Sequence, residues 1–250
     1  MDRRNALKVL AGMALCPVCA SPGFAAEGAH WSYEGQGGPS HWGDLDAASK
    51  ACSVGTQQSP IDIQSSIKSQ LPALKISWPK KPDMIVNNGH TIQVNADPGN
   101  TLTVGSSKYE LLQYHFHHPS EHLIAGKAYP MEVHFVHREA SGNLAVIGAL
   151  MSAGKANAAF GRIVAAMPGQ EGPAVKMAAA ADPNQMLPAA RGYYRYSGSL
   201  TTPPCSEVVN WLVLREPIMV ARTDIDAFAK LFPMNARPVQ KDNRRFVLSS

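Results

Sequence analysis

Six of the nine histidines in this 250-residue chain fall between residues 115 and 137, a window that an even spread would give about one. Their spacing restricts the fold more than any other feature. In Tyr114-His115-Phe116-His117 two imidazoles stand at i and i+2, and a strand, with its period of two, turns both to one face. In Glu132-Val133-His134-Phe135-Val136-His137 the same alternation groups His134 with Glu132 and Val136. If the two strands pair through the intervening turn, three imidazoles converge on one point. Three such nitrogens at about 2.0–2.1 Å suit zinc, with the fourth tetrahedral corner open, and an open corner belongs to catalysis rather than to structure. Alternating histidines also face solvent or serve a core, and the pattern by itself leaves that alternative standing.

The rest of the chain agrees with a sheet protein. Residues 85–94, 102–104, 111–117, 132–137, 144–151 and 208–214 are short runs rich in β-branched and aromatic residues, separated by Gly, Pro, Ser and Asn. Two stretches are expected to be helical. Phe160, Ile163, Val164 and Met167 recur at helical spacing, and Thr223 is placed to cap a helix carrying Ile225, Phe228 and Leu231, with Asp226 at the reciprocal position. Residues 153–188, rich in Ala, Gly and Pro, read as a surface excursion. No internal repeat and no linker divides the chain, so one mostly β domain with peripheral helices is expected. A net charge of +4, scattered along the chain, excludes the clustered basic face of a nucleic-acid binder. Beyond the N-terminus the longest apolar run is eight residues, Leu144 to Met151, where a membrane-spanning helix needs about 20.

Residues 1–25 read as a cleaved signal peptide. Arg3, Arg4 and Lys8 precede an apolar stretch from Val9 to Ala20, and Gly23-Phe24-Ala25 offers a small-x-small cleavage pattern. The general secretory route is favoured, and Arg3-Arg4 leaves twin-arginine export open. The mature domain, 26–250, then retains Cys52 and Cys205. Their even number in an oxidising compartment points to a disulfide, two free buried thiols being the alternative.

Taken together, Gln113-Tyr-His-Phe-His117, Pro119-Ser-Glu-His122, Met131-Glu-Val-His-Phe-Val-His137 and Gly198-Ser-Leu-Thr-Thr-Pro-Pro-Cys205 resemble the α-class carbonic anhydrases, in the bacterial secreted branch. The resemblance extends to Gln58-Ser-Pro-Ile-Asp-Ile63, Asn87-Asn-Gly-His90, Leu144-Ala-Val-Ile-Gly148 and Asn210-Trp211. It implies a single domain around a twisted, mainly antiparallel sheet of about ten strands with short outer helices. It implies reversible hydration of CO2 to bicarbonate and a proton, by attack of Zn2+-bound hydroxide on CO2, in the periplasm or outside the cell. The partners expected are these small molecules alone, with no nucleic acid and no membrane after cleavage, for a monomer or homodimer. By the family pattern His115, His117 and His134 match the zinc ligands, with Gln113 and Glu132 orienting ligand imidazoles. Thr201 and Glu121 match the pair that orients the hydroxide, and His90 matches the proton shuttle. Val136, Val146, Leu200 and Trp211 match the apolar wall for CO2, with Thr202 at the pocket mouth. The same resemblance implies cis peptides at Ser59-Pro60 and Pro203-Pro204. His122 and His137 are expected to be structural and His118 exposed, while His30 and His41 have no assigned role. A family member that binds without catalysis, or a periplasmic zinc store, would leave either the intact histidine set or Thr201, Glu121 and the apolar wall without a reason.

Overall fold

Alternating burial along the long strands decides the architecture. Within 131–139, Met131, Val133 and Phe135 enter one hydrophobic cluster while Val136 enters a second, because successive residues of a strand face opposite sides of the sheet. The structure, a computed structural model, describes residues 30–250. The expected signal peptide lies outside the described residues.

Fifteen strands and three α-helices follow in order among these residues. The first strands are β1 (Asp62–Ile63), β2 (Ile67–Lys68), β3 (Lys75–Ser77), β4 (Met84–Asn87) and β5 (Ile92–Asn95). The middle of the chain forms β6 (Thr101–Val104), β7 (Ser107–His117), β8 (Leu123–Ile124), β9 (Met131–Glu139) and β10 (Leu144–Ala153). The last are β11 (Val175–Lys176), β12 (Tyr193–Gly198), β13 (Val209–Leu214), β14 (Ile218–Val220) and β15 (Leu248–Ser249). Helix α1 is Ala51–Val54, α2 is Ala158–Ala166 and α3 is Arg222–Leu231. None of the described helices is long and apolar enough to cross a membrane.

Thirteen strands form one sheet, ordered β11-β4-β5-β7-β9-β10-β13-β12-β15-β2, with β6 beside β7, β3 beside β6 and β14 beside β10. This is larger than the ten strands expected, since two-residue strands such as β2, β11 and β15 are too short to leave a pattern in sequence. It is also mixed. Most pairings are antiparallel, but β10 runs parallel to β13 and β14, and β15 to β2. The long excursion between β10 and β13 lets the chain return in the same direction.

The larger hydrophobic cluster lies on one face of this sheet, where Tyr114, Phe116, Val133, Phe135 and Ile147 meet Phe160 and Ile163 of α2 and Ile225 and Phe228 of α3. Each fully buried aromatic or aliphatic side chain there contributes about 1.5–3 kcal/mol. The region 153–188 is therefore more than a surface excursion, since Phe160, Ile163, Met177, Ala181 and Met186 are all buried. Helix α2 starts where the Asn157 side chain accepts from the amides of Ala159 and Phe160 at 3.1 Å each. For α3 the expected cap is wrong. The chain leaves β14 in extended backbone only as far as Ala221, so Thr223 lies inside the helix and no side chain caps it. Asp226 instead accepts from Arg222 Nε at 2.8 Å.

Candidate metal centre

The opposite face of the sheet carries His115, His117 and His134. Strands β7 and β9 are antiparallel, with His115 opposite His134 and His117 opposite Glu132. A register shift between Leu111 and Gln113 makes this alignment. Tyr109 and Leu111 point into the larger core, and so do Tyr114 and Phe116; the extra residue Leu112 reverses the phase between them. Without it, Gln113, His115 and His117 would point into the core. On the other side of β9, Gly148 of β10 pairs with His134. A Cβ at Gly148 would lie 2.8 Å from Glu132 Oε1, so only glycine leaves that carboxylate its place.

The three rings converge. Their centroids are 5.0 Å (His115–His117), 5.4 Å (His115–His134) and 4.5 Å (His117–His134) apart, and one nitrogen from each lies within 4.8 Å of the others. The remaining nitrogen of each ring meets an acceptor. His115 Nδ1 is 2.8 Å from Gln113 Oε1, His117 Nδ1 is 2.8 Å from the Asn235 carbonyl, and His134 Nε2 is 2.9 Å from Glu132 Oε1. An acceptor on the outer nitrogen holds the proton there and leaves the inner one as a bare lone pair. His117 Nε2 is buried with no hydrogen-bond partner. Burial also keeps the rings neutral. It lowers the His115 pKa well below the ordinary value, helped by the neighbouring imidazoles, and brings His117 down to about 4. His134 is lowered by burial against the pull of Glu132. Three neutral, pre-oriented imidazoles fit a zinc ion. His122, Glu132 and His134 also cluster, but His122 is already bonded on both nitrogens, to Glu132 Oε1 at 2.8 Å and Tyr196 Oη at 2.7 Å. That group is a hydrogen-bond network.

Glu132 anchors it. Burial would raise its pKa, but His122 and His134 hold it well below the usual carboxylate range, and Oε2 accepts the amides of Glu121 and His122 at 3.0 and 2.9 Å. Glu121 is itself buried, with Oε2 3.6 Å from His117 Nε2 and 3.8 Å from His134 Nδ1. Burial pushes its pKa up to about 7, opposed by His134, by the Arg237 amide at 2.8 Å and by the Thr201 hydroxyl. Val136, Val146 and Trp211 are buried in the second hydrophobic cluster, with Leu200 packed on its edge. The Trp211 indole donates to the Ser199 carbonyl at 3.0 Å, and its ring centroid is 4.8 Å from that of His134. A cavity of about 110 Å³ is bordered by His115 and His117 on one side and by Trp31, His90 and Thr202 on the other. A larger open cleft of about 870 Å³, between Lys108, Glu110, Arg138 and Glu139, contains none of these residues.

A family model for eukaryotic-type carbonic anhydrase matches residues 37–250. The chain belongs to this family. It hydrates carbon dioxide reversibly to bicarbonate and a proton. A carbonic anhydrase from Nostoc sp. is 42% identical over 99% of this chain and 97% of the relative, and one from Pectobacterium carotovorum is 40% identical over 92% of this chain and 95% of the relative. Among solved structures, the α-carbonic anhydrase of Thermovibrio ammonificans in complex with the inhibitor sulfanilamide superposes with a TM-score of 0.86 at 44% identity. The match covers 88% of this chain and 99% of that one.

Several residues of this carbonic anhydrase centre were not legible beforehand. Asn235 joins the ligand face to the rim, its carbonyl holding His117 and its amide donating to the carbonyls of His90 and Phe116, each at 3.0 Å. Arg237 donates its backbone amide to Glu121 and its guanidinium to Gln58 Oε1 and to the carbonyls of Ser59 and Cys52. Both lie in an irregular segment with no periodicity to betray them. His118 is half-buried rather than exposed, with Nδ1 2.9 Å from the Pro233 carbonyl. His137 is buried on the far face, stacked on Trp78. Ser59-Pro60, Pro203-Pro204 and, beyond expectation, His118-Pro119 are cis.

Proposed function

We propose that His115, His117 and His134 hold zinc and that Thr201, Glu121, the apolar wall and His90 carry out the hydration around it. The observation that supports this most is the set of three inward lone pairs, each enforced by an acceptor behind its ring. Zinc bound there supplies the positive charge that makes water a nucleophile near neutral pH. The Thr201 hydroxyl can accept a hydrogen bond from the attacking oxygen only if its own proton is committed elsewhere. When ionised, Glu121 accepts a hydrogen bond from that hydroxyl, so the pair sets the direction of attack. Val136, Val146, Leu200 and Trp211 give CO2, which is small and apolar, a surface that holds it without polar competition. Thr202, at the cavity mouth, is positioned to meet bicarbonate. Removal of metal with a chelator should abolish hydration, and one equivalent of zinc should restore it. Full activity in metal-free protein would refute the zinc assignment.

The proton released in each turnover must also leave. An acid of pKa about 7 gives its proton to bare water at only roughly 10³ per second, since recapture runs near the diffusion limit of about 10¹⁰ M⁻¹s⁻¹. His90 shares the cavity with the ligand imidazoles and lies with its ring on Trp31, centroids 3.6 Å apart and planes within 10°. Burial lowers its pKa from the ordinary histidine value, so it is neutral, and able to accept a proton, at neutral pH. In weak buffer kcat should therefore rise with pH through a midpoint below 6.5 and be level above it. His90→Ala should lower that plateau by about tenfold or more, leave kcat/KM for CO2 nearly unchanged and be rescued by imidazole. An unchanged plateau would mean that the proton leaves by another route.

The mature domain, 26–250, is proposed to act in the periplasm or outside the cell after removal of residues 1–25. The Cys52–Cys205 disulfide supports this, since such bonds persist in oxidising compartments.

A further inference from the structure

The segment Pro168–Gly172 is pinned to the start of the turn that carries His90. Asn87 Nδ2 donates to the Pro168 carbonyl at 3.0 Å, and the Gly172 amide donates to the Asn87 carbonyl at 3.1 Å. Between these ties stands Glu171, solvent-exposed, with its carboxylate closed over Gly89. Gly89 has φ +81°, and a Cβ there would lie 2.7 Å from Glu171 Oε2. The absence of a side chain at 89 is thus what lets the carboxylate settle against Gly89, the residue before His90. Nothing in the core requires an acid at this point, and no positively charged side chain pairs with it among the described residues.

We propose that Glu171 is a positioning residue for proton export, presenting a fixed negative charge to the outer side of His90 so that a proton taken from the centre is drawn to the rim and released there. This rests on His90 being the shuttle. The titratable groups bearing on His90 are His30, from the N-terminal segment with its ring centroid 5.8 Å away, and Glu171. Tyr33, from the N-terminal segment, and His115 and His117, from β7, border the same cavity. Burial and His30 disfavour the imidazolium, and Glu171 favours it. A solvent-exposed unit charge near an imidazole is worth a fraction of a pKa unit. Removing it leaves His90 a weaker base, so proton transfer to it slows.

The test compares Glu171→Gln, His90→Ala and the double variant by CO2 hydration in weak and strong buffer across pH. Glu171→Gln should lower the weak-buffer kcat plateau about twofold and move its midpoint to lower pH. Strong buffer should remove the deficit, and kcat/KM should not change. The His90 ring protons, followed by NMR, should show the same shift of midpoint. In the His90→Ala background, Glu171→Gln should have no further effect. If His90→Ala itself leaves kcat intact, the shuttle assignment fails. If His90→Ala is slow but Glu171→Gln keeps both plateau and midpoint, or slows the double variant equally, the charge of Glu171 does not act through His90 and this inference is overturned.

Discussion

His117→Ala should reduce zinc affinity by about a thousandfold or more and carry CO2 hydration down with it, because one of the three proposed metal bonds would be lost. The same holds for His115→Ala and His134→Ala, but the three should differ in what they do to the metal-free fold. Loss of His117 strips the Asn235 carbonyl of its partner in a fully buried setting, and an orphaned buried acceptor costs about 1–3 kcal/mol. Loss of His134 is softened. Glu132 Oε1 keeps His122 Nδ1, and Oε2 keeps two amides. Loss of His115 frees only the half-buried Gln113 side chain, which can turn to water. Metal content by elemental analysis should fall alike in all three. Thermal unfolding in chelator should place His117→Ala lowest and His115→Ala nearest the parent. One equivalent of tightly held zinc with full activity in any of the three would overturn the ligand assignment.

The convergence of His115, His117 and His134 was legible because its constraint is local. Two residues apart on a strand is a statement about one face, and only a third histidine on a partner strand was needed to make a centre. The bulge at Leu112 was not legible, although it decides which face that is, because a one-residue phase reversal looks like broken alternation in sequence. Nor were the groups that hold the outer nitrogens equally visible. Gln113 and Glu132 share the alternation of their histidines, whereas Asn235 reaches His117 across 118 residues of chain. The breadth of the sheet was understated for a related reason. Two-residue strands such as β15 exist because neighbours offer them partners, not because their own residues prefer to be extended. Glu171 lies in a stretch whose composition says only that it is irregular; two backbone carbonyls and one asparagine put it against the turn that carries His90.

Reducing the Cys52–Cys205 bond should destabilise the enzyme by up to about 5 kcal/mol, since it closes a loop of 153 residues and the unfolded chain regains that freedom. For a domain of this size that corresponds to a fall in Tm of about 10–20 °C. The effect should not stop at stability. Cys205 directly follows the Thr201-Thr202-Pro203-Pro204 turn, its amide donates to the Thr202 carbonyl at 2.9 Å, and its own carbonyl accepts Gln58 Nε2 at 3.0 Å. Cys52 sits in α1, and its carbonyl accepts from the Arg237 guanidinium at 3.1 Å. Arg237 in turn holds Glu121 through its amide. The bridge therefore ties together the two segments that place Thr201 and Glu121. Loosening it should lower kcat severalfold at 25 °C, while the protein is still folded and zinc is still bound, because the proposed ligands stand on β7 and β9, strands that carry neither cysteine. Cys52→Ser and Cys205→Ser should reproduce both effects, whereas a reductant should not affect those variants. Calorimetry with and without reductant, beside zinc content and hydration rate, separates the outcomes. A Tm unchanged within about 2 °C would show that the bond does not constrain the fold, and a rate unchanged in folded, reduced enzyme would show that the sheet alone holds the Thr201–Glu121 pair in place.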